Sequence, residues 1–132
     1  MKPLSILLVE DDDRLRFALN ETLVRRGYQV TQAADVDSAL SCLDHHAFDV
    51  VLTDLLLGPR DGIEIVRIAK TKYPAARIVA MTGGGDHLRL SYLLNLARHF
   101  GACVPLAKPF ATDELLAAVD AAQDPVEQTG SA

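Results

Sequence analysis

The sequence predicts an α/β fold in which five parallel strands form one sheet with five helices packed on both faces. Short apolar runs alternate with segments whose apolar residues recur every three or four positions, the patterns of buried strands and amphipathic helices. Each predicted strand is followed by a predicted helix, and this alternation requires right-handed crossovers between parallel strands. The 132 residues are 49% hydrophobic and 23% charged, as in a single globular domain.

The predicted strands differ in how much of each is covered. Three are almost continuously apolar, as strands buried on both faces are; they span 4–9, 48–53 and 77–81. The second strand of the chain, 28–31, alternates polar and apolar residues, which predicts an edge strand with one wetter side. The fifth strand, 103–107, contains Pro105, which cannot donate to a ladder and therefore places this strand at the other edge.

The predicted helices begin at residues that cap them. Asp12 or Asp13 caps the first helix, and Gly27 ends it. The buried stripe of that helix is predicted to comprise Leu15, Ala18, Leu19 and Leu23. The later helices are predicted over 36–46, 63–72, 86–100 and from 112 through 119. We therefore expect one domain over 1–122, a loop over 55–62 and a frayed tail over 123–132.

Charge and cysteine content exclude several classes of function. A formal net charge of -5 and a pI near 5.2 argue against direct nucleic-acid binding, which needs basic patches. Cys42 and Cys103 lack the spacing of a metal or redox site, so reduced thiols in a cytoplasmic protein are expected. The first apolar run is too short for a signal peptide or a membrane span, and no membrane association is predicted.

Polar side chains follow four of the predicted strands. We adopt the flavodoxin-like order 2-1-3-4-5 from known doubly wound sheets, in which ligands bind outside the carboxyl ends of the strands. In that order the strand ends carry Glu10-Asp11-Asp12, Asp54, Thr82 and Lys108. Each residue alone is more often a cap, a turn residue or a solvated edge charge. Their joint occurrence at four strand ends favours a functional site.

These residue types suit phosphoryl transfer. The carboxylate of Asp54 could attack phosphorus if the surrounding negative charge were neutralised. Glu10, Asp11 and Asp54 would repel one another unless a divalent cation joined them, and Mg²⁺ prefers such oxygen ligands. The Lys108 ammonium and the Thr82 hydroxyl could contact phosphoryl oxygens.

The motifs together resemble the receiver domain of two-component response regulators. They are Ile6-Leu7-Leu8-Val9-Glu10-Asp11-Asp12, Asp54, Asp61-Gly62, Thr82 and Lys108-Pro109-Phe110. The resemblance implies that Asp54 is the phosphoacceptor and that Thr82 and Lys108 read the phosphoryl group. It implies that Mg²⁺ is held by Glu10, Asp11, Asp54 and the backbone carbonyl of Leu56, and that the Lys108–Pro109 bond is cis.

The resemblance also implies partners. A sensor histidine kinase or a phosphotransferase would donate the phosphoryl group, and a downstream protein would bind the fourth helix, fifth strand and fifth helix. The chain would act as a stand-alone receiver, and a homodimer is compatible with this interpretation. It would not be an enzyme beyond transfer to Asp54 and autodephosphorylation.

The chain departs from the family pattern at two positions. Gly58 stands where receivers carry Pro, which predicts a looser loop, and Pro105 replaces the usual Tyr or Phe before the lysine. The fourth helix is longer than usual and has a wide apolar arc, and we hypothesise that Tyr92 on it supplies the missing aromatic ring for a partner surface; a fuller core beneath the helix is the alternative. No role is assigned to any histidine.

Two other functions stay open from the sequence. A degenerate receiver would bind partners without phosphorylation, which Gly58 and Pro105 favour. A phosphatase of the haloacid dehalogenase type also forms an aspartyl phosphate, but it expects a second Asp two residues after the nucleophile. Leu56 occupies that position, which counts against the phosphatase.

Overall fold

The computed structural model describes residues 3–83, 87–101 and 103–121, so the predicted tail lies outside it. The strands of the main sheet are Ser5–Val9 (β1), Gln29–Ala33 (β2), Val50–Asp54 (β3), Arg77–Thr82 (β4) and Cys103–Ala107 (β5). The helices are Asp13–Arg25 (α1), Val36–His45 (α2), Ile63–Lys72 (α3), His87–Phe100 (α4) and Thr112–Ala121 (α5). All pairings in this sheet are parallel, in the order β2-β1-β3-β4-β5, which confirms the predicted flavodoxin-like fold.

The sheet separates two apolar layers. Alternate residues of the central strands point to opposite faces, so Leu7 and Val51 pack toward α2, α3 and α4 while Leu8 and Leu52 pack toward α1 and α5. All four side chains are fully buried, which explains why their strands are apolar throughout. Among the described residues, no helix is both long and apolar enough to cross a bilayer.

Some predicted boundaries were wrong. β3 begins at Val50 and not at 48, because Phe48 is buried in the core without joining the ladder. The Asp49 carboxylate accepts a hydrogen bond from the amide of Ser5 at 2.8 Å, and this contact holds the residue before β3 beside the start of β1. β2 extends to Ala33, two residues beyond its predicted end.

Four other predictions concern helices. Ala18 of α1 was predicted to be buried but is exposed, whereas Leu19 and Leu23 form the buried stripe. Asp12 is the N-cap of α1, and its carboxylate accepts from two amides of the first turn. Gly27, with φ of +105°, follows the end of the same helix as predicted. Residue 86, the predicted start of α4, lies outside the described residues.

The predicted loop over 55–62 contains a small hairpin. Leu56–Leu57 pairs antiparallel with Arg60–Asp61, and Gly58 and Pro59 form the turn between them. Gly58 has φ of +67°, which proline cannot adopt and which two-residue hairpin turns of the primed types require. Glycine therefore permits a tight turn here, and the expectation of a looser loop stays a prediction.

Candidate functional site

The carboxyl ends of β1, β3 and β5 bring three charged groups together. The ammonium of Lys108 donates to Asp54 Oδ2 at 2.6 Å and to Glu10 Oε1 at 2.7 Å. Glu10 and Lys108 are 98 positions apart in the sequence, and only the strand order makes them neighbours. The structure thus brings these three predicted site residues together at one rim of the sheet.

Burial governs the electrostatics of this rim. Glu10 is 1% exposed and Asp54 is 6% exposed. Burial raises the pKa of Glu10, and the hydrogen bond from Lys108 opposes that shift only in part. Burial by itself would lower the pKa of Lys108, but its hydrogen bonds to Asp54 and Glu10 outweigh this effect and raise it. Lys108 therefore stays protonated and neutralises part of the buried negative charge.

The carboxylates at this rim form a candidate cation site. Glu10, Asp11 and Asp54 each offer an oxygen atom, and these atoms lie within 4.8 Å of one another. The amide of Leu56 donates to Asp54 Oδ1 at 2.9 Å, which places the Leu56 backbone beside the carboxylates. A cluster of carboxylate oxygens with an adjacent backbone carbonyl is chemistry that fits Mg²⁺. The individual ligand roles stay predictions.

Thr82 lies at the end of β4, next to Lys108. Its carbonyl accepts a hydrogen bond from the amide of Lys108, which continues the pairing of β4 with β5 by one step. The Lys108–Pro109 bond is cis, as the resemblance implied. A cleft of about 320 Å³ opens between α4 and β5, and its walls include Thr82, His87, Leu90, Leu94, Ala107 and Lys108. Space therefore exists beside the Thr82 side chain.

Two positioning contacts were not predicted from the sequence. Arg16 donates from Nη1 to the carbonyl of Glu10 at 2.8 Å and thereby holds the end of β1. Gly62 lies so close to β3 that a Cβ there would stand 2.4 Å from the backbone oxygen of Asp54. The Asp61-Gly62 pair indicated a turn, but only the folded chain shows that a side chain at 62 would displace Asp54.

The comparisons with known proteins agree with this geometry. The model of the response regulator receiver domain matches residues 6–120. Sporulation initiation phosphotransferase F of Bacillus subtilis (strain 168) is 35% identical over 114 residues, covering 86% of this chain and 89% of that protein. Response regulator protein FleR of Pseudomonas aeruginosa is 34% identical over 111 residues, but the chain spans only 23% of its length.

Solved structures show the same likeness. Chemotaxis protein CheY4 of Vibrio cholerae superposes with a TM-score of 0.80 at 26% identity, over 92% of this chain and 99% of that chain. A receiver domain protein from Methanospirillum hungatei JF-1 has the same fold, with a TM-score of 0.86 at 23% identity over 97% of this chain and 99% of that one. Because the family model matches most of its length, the chain belongs to the response regulator receiver domain family of two-component systems.

Proposed function

We propose that this chain is a phosphoacceptor switch that takes a phosphoryl group on Asp54 from a histidine kinase or a phosphotransferase. The observation that carries the proposal is the contact of Lys108 with both Asp54 and Glu10 at the carboxyl rim of the sheet. A buried carboxylate beside a fixed ammonium is suited to receive an anionic group, because the charge that the product adds is already opposed. Family membership supports the same conclusion.

The transfer exchanges one bond to phosphorus for another. An oxygen of Asp54 forms a bond to phosphorus while the bond from phosphorus to the donor's imidazole nitrogen breaks, and the imidazole leaves with that electron pair. The amide of Leu56 holds Oδ1 of Asp54, and the ammonium of Lys108 lies at Oδ2, so both oxygens are oriented. Thr82 would donate a hydrogen bond from its hydroxyl to a phosphoryl oxygen.

We also propose Mg²⁺ as the cofactor. Glu10, Asp11, Asp54 and the carbonyl of Leu56 would hold it, as the clustered carboxylate oxygens support. When bound, Mg²⁺ supplies positive charge that neutralises the phosphoryl oxygens. The protein's own part is to keep these oxygens close together and to shield Glu10 and Asp54 from water.

Phosphorylation would change a protein-binding surface formed by α4, β5 and α5. The exposed face of α4 presents Leu88 and Tyr92, which are 82% and 63% exposed, and Val104 of β5 is 36% exposed. Exposed apolar side chains of this size are suited to a protein partner. The cleft beside Thr82 is also lined by Leu90 and Leu94 of α4, so movement of Thr82 would change the packing space next to this helix.

Intact mass measurement after incubation with acetyl phosphate and Mg²⁺ tests the proposal. We expect an adduct of one phosphoryl group on the wild type and on Asp113→Asn, an exposed acid of α5, and no adduct on Asp54→Ala. An unmodified wild type, even with a cognate kinase, would identify a degenerate receiver, for which Gly58 and Pro105 are the motivation. Rapid turnover of an added phosphoester without a lasting adduct would identify a phosphatase.

The partner surface has a separate test. Tyr92→Ala should weaken binding of the downstream protein to the phosphorylated chain, because it removes a large exposed ring from α4. Val24→Ala truncates an exposed side chain on α1 and serves as the matched control. Normal partner binding by Tyr92→Ala would contradict the assignment of this face.

We place the chain in the cytoplasm, where Cys42 and Cys103 would stay reduced; both are free thiols in the structure.

A further inference from the structure

Arg60 connects the hairpin beside the site to two helices. Its Nη1 donates to Oδ1 of Asp37 at 2.6 Å, and its Nη2 donates to Oε1 of Glu64 at 2.7 Å. Asp37 lies in the first turn of α2 and Glu64 in the first turn of α3. A guanidinium holds its donors in a rigid plane, so one arginine can bridge two carboxylates that a lysine ammonium would contact less well.

The hairpin has an inner strand, Leu56–Leu57, and an outer strand, Arg60–Asp61, and the two are anchored differently. On the inner strand, Leu57 is 5% exposed and packs in the core, and the amide of Leu56 bonds to the Asp54 carboxylate. The turn and the start of the outer strand, residues 58–60, are exposed to solvent. Among the described residues, the Asp61 carboxylate accepts only from the amide of Ile63, and the amide of Gly62, directly after the outer strand, donates to the carbonyl of Leu55 at 2.9 Å. Of the hydrogen bonds and ion pairs found within the described residues, the contact of Arg60 with Asp37 is the one that connects the outer strand to α2.

The position of the outer strand affects the inner strand because the two are paired. Arg60 is opposite Leu57, and Asp61 is opposite Leu56, whose carbonyl is the proposed backbone ligand of Mg²⁺. Mg²⁺ requires nearly ideal octahedral geometry with short ligand distances, so a small displacement of one ligand oxygen weakens binding. Contacts outside the first coordination shell affect metal affinity for this reason.

We propose that Arg60 is a positioning residue for the Mg²⁺ site, holding the carbonyl of Leu56 in place through its ion pairs with Asp37 and Glu64. The inference rests on the proposed function, of which the Mg²⁺ site is a part. It assigns an influence on metal affinity to two acidic residues that contribute no ligand, one at the start of α2 and one at the start of α3.

Calorimetric titration of Mg²⁺ into the whole chain tests the inference, together with the melting temperature measured without Mg²⁺. Arg60→Gln should weaken Mg²⁺ binding roughly threefold to tenfold, a modest loss because exposed ion pairs are individually weak. Arg60→Lys keeps the positive charge but not the rigid planar group of donors, and its Mg²⁺ affinity should lie between that of the wild type and that of Arg60→Gln. Arg67→Gln removes an exposed arginine from the same helix as Glu64 and should leave the affinity unchanged.

Asp37→Asn and Glu64→Gln complete the test. Both should weaken Mg²⁺ binding in the same direction as Arg60→Gln, and they decide the matter if Arg60→Gln does not fold. A lowered melting temperature with wild-type Mg²⁺ affinity in these variants would show a purely structural role and overturn the inference. A wild type that binds no Mg²⁺ would instead overturn the metal site of the proposed function, and this inference with it.

Discussion

At the level of single residues, the Lys108 ammonium is the group on which the candidate site depends most. It contacts two carboxylates that are almost fully buried, and its own side chain is 22% exposed. Two buried carboxylates without a cation repel each other and lose their hydration, which is costly. The ammonium therefore contributes to the stability of the fold as well as to the chemistry proposed for the site.

Replacing this lysine should separate the two contributions. Lys108→Gln should lower the free energy of unfolding by about 1–3 kcal/mol without Mg²⁺, because two buried acids lose their cationic partner. Lys72→Gln removes an exposed ion pair with Asp44 and should cost less than about 1 kcal/mol. Urea unfolding measures both values. Equal losses in the two variants would show that burial adds nothing to the Lys108 contacts.

A second residue-scale prediction concerns the close approach at Gly62. Gly62→Ala should destabilise the protein by about 1–3 kcal/mol and slow phosphorylation, because the new Cβ meets the Asp54 backbone at 2.4 Å. Gly101→Ala brings a Cβ against the side chain of Lys70 and not against backbone, so its cost should be smaller and it should leave the phosphorylation rate unchanged. Wild-type stability and phosphorylation rate in Gly62→Ala would contradict the structure at this point.

At the level of elements, α5 is held against the opposite end of the chain. Asp120 of α5 accepts hydrogen bonds from Arg26, directly after α1, and from the hydroxyl of Tyr28, directly before β2. Burial, followed by the hydrogen bond to Asp120, raises the pKa of Tyr28 to about 12. The helices α1 and α5 pack on the same face of the sheet, and these contacts connect α5 to the segment that follows α1.

The pH dependence of this contact follows from the raised pKa. Tyr28→Phe should lower the free energy of unfolding by about 1 kcal/mol at neutral pH, since it removes one hydrogen bond. A folded pKa above the unfolded value of 10.0 means that the contribution is complete below pH 10 and is lost as pH rises through about 12. The difference in urea midpoint between variant and wild type should therefore be smaller at roughly pH 11 than at about pH 8. A constant difference would exclude the hydroxyl as its source.

At the level of the whole molecule, the candidate site exists only in the folded sheet. Its charged groups come from the ends of β1, β3 and β5, which are distant in sequence; β1 and β3 are adjacent in the strand order, and only β4 separates β3 from β5. A ligand that binds the folded chain alone stabilises it by mass action. Occupancy of the proposed Mg²⁺ site should consequently be visible in global unfolding.

Mg²⁺ should raise the melting temperature of the entire chain. At about 100 times the dissociation constant, the added stability is about 2.7 kcal/mol. Asp54→Ala should lose most of this increase, because it removes one of the three clustered carboxylates. Differential scanning calorimetry with Mg²⁺ or with a chelator measures the effect. An equal increase in Asp54→Ala would show that Mg²⁺ binds elsewhere.

The sequence predicts this fold well for a physical reason. Buried parallel strands are apolar throughout, so β1, β3 and β4 are visible in the composition, and Pro105 identifies an edge. Polar residues that interrupt such runs mark the strand ends, which explains why Glu10, Asp54 and Lys108 were predicted to meet. Their individual roles stay predictions.

What the sequence does not reveal depends on tertiary contacts or on very short elements. Strands of two residues have no periodicity, so the hairpin at 56–61 was interpreted as a loop. The bridge from Arg60 to Asp37 spans 23 positions, and nothing local marks either residue as a partner of the other. Ala18 satisfied the helical spacing, but spacing alone does not fix the width of the buried stripe.

The hydrogen bond from the Lys108 amide to the Thr82 carbonyl joins the backbones of the two residues whose side chains are proposed to contact the phosphoryl group. Gly83 lies so close to Lys108 that a Cβ there would stand 2.9 Å from it, which leaves little slack between the two backbones. Thr82 and Lys108 should therefore move together as one rigid body, so that a displacement of either residue would displace the ends of both β4 and β5.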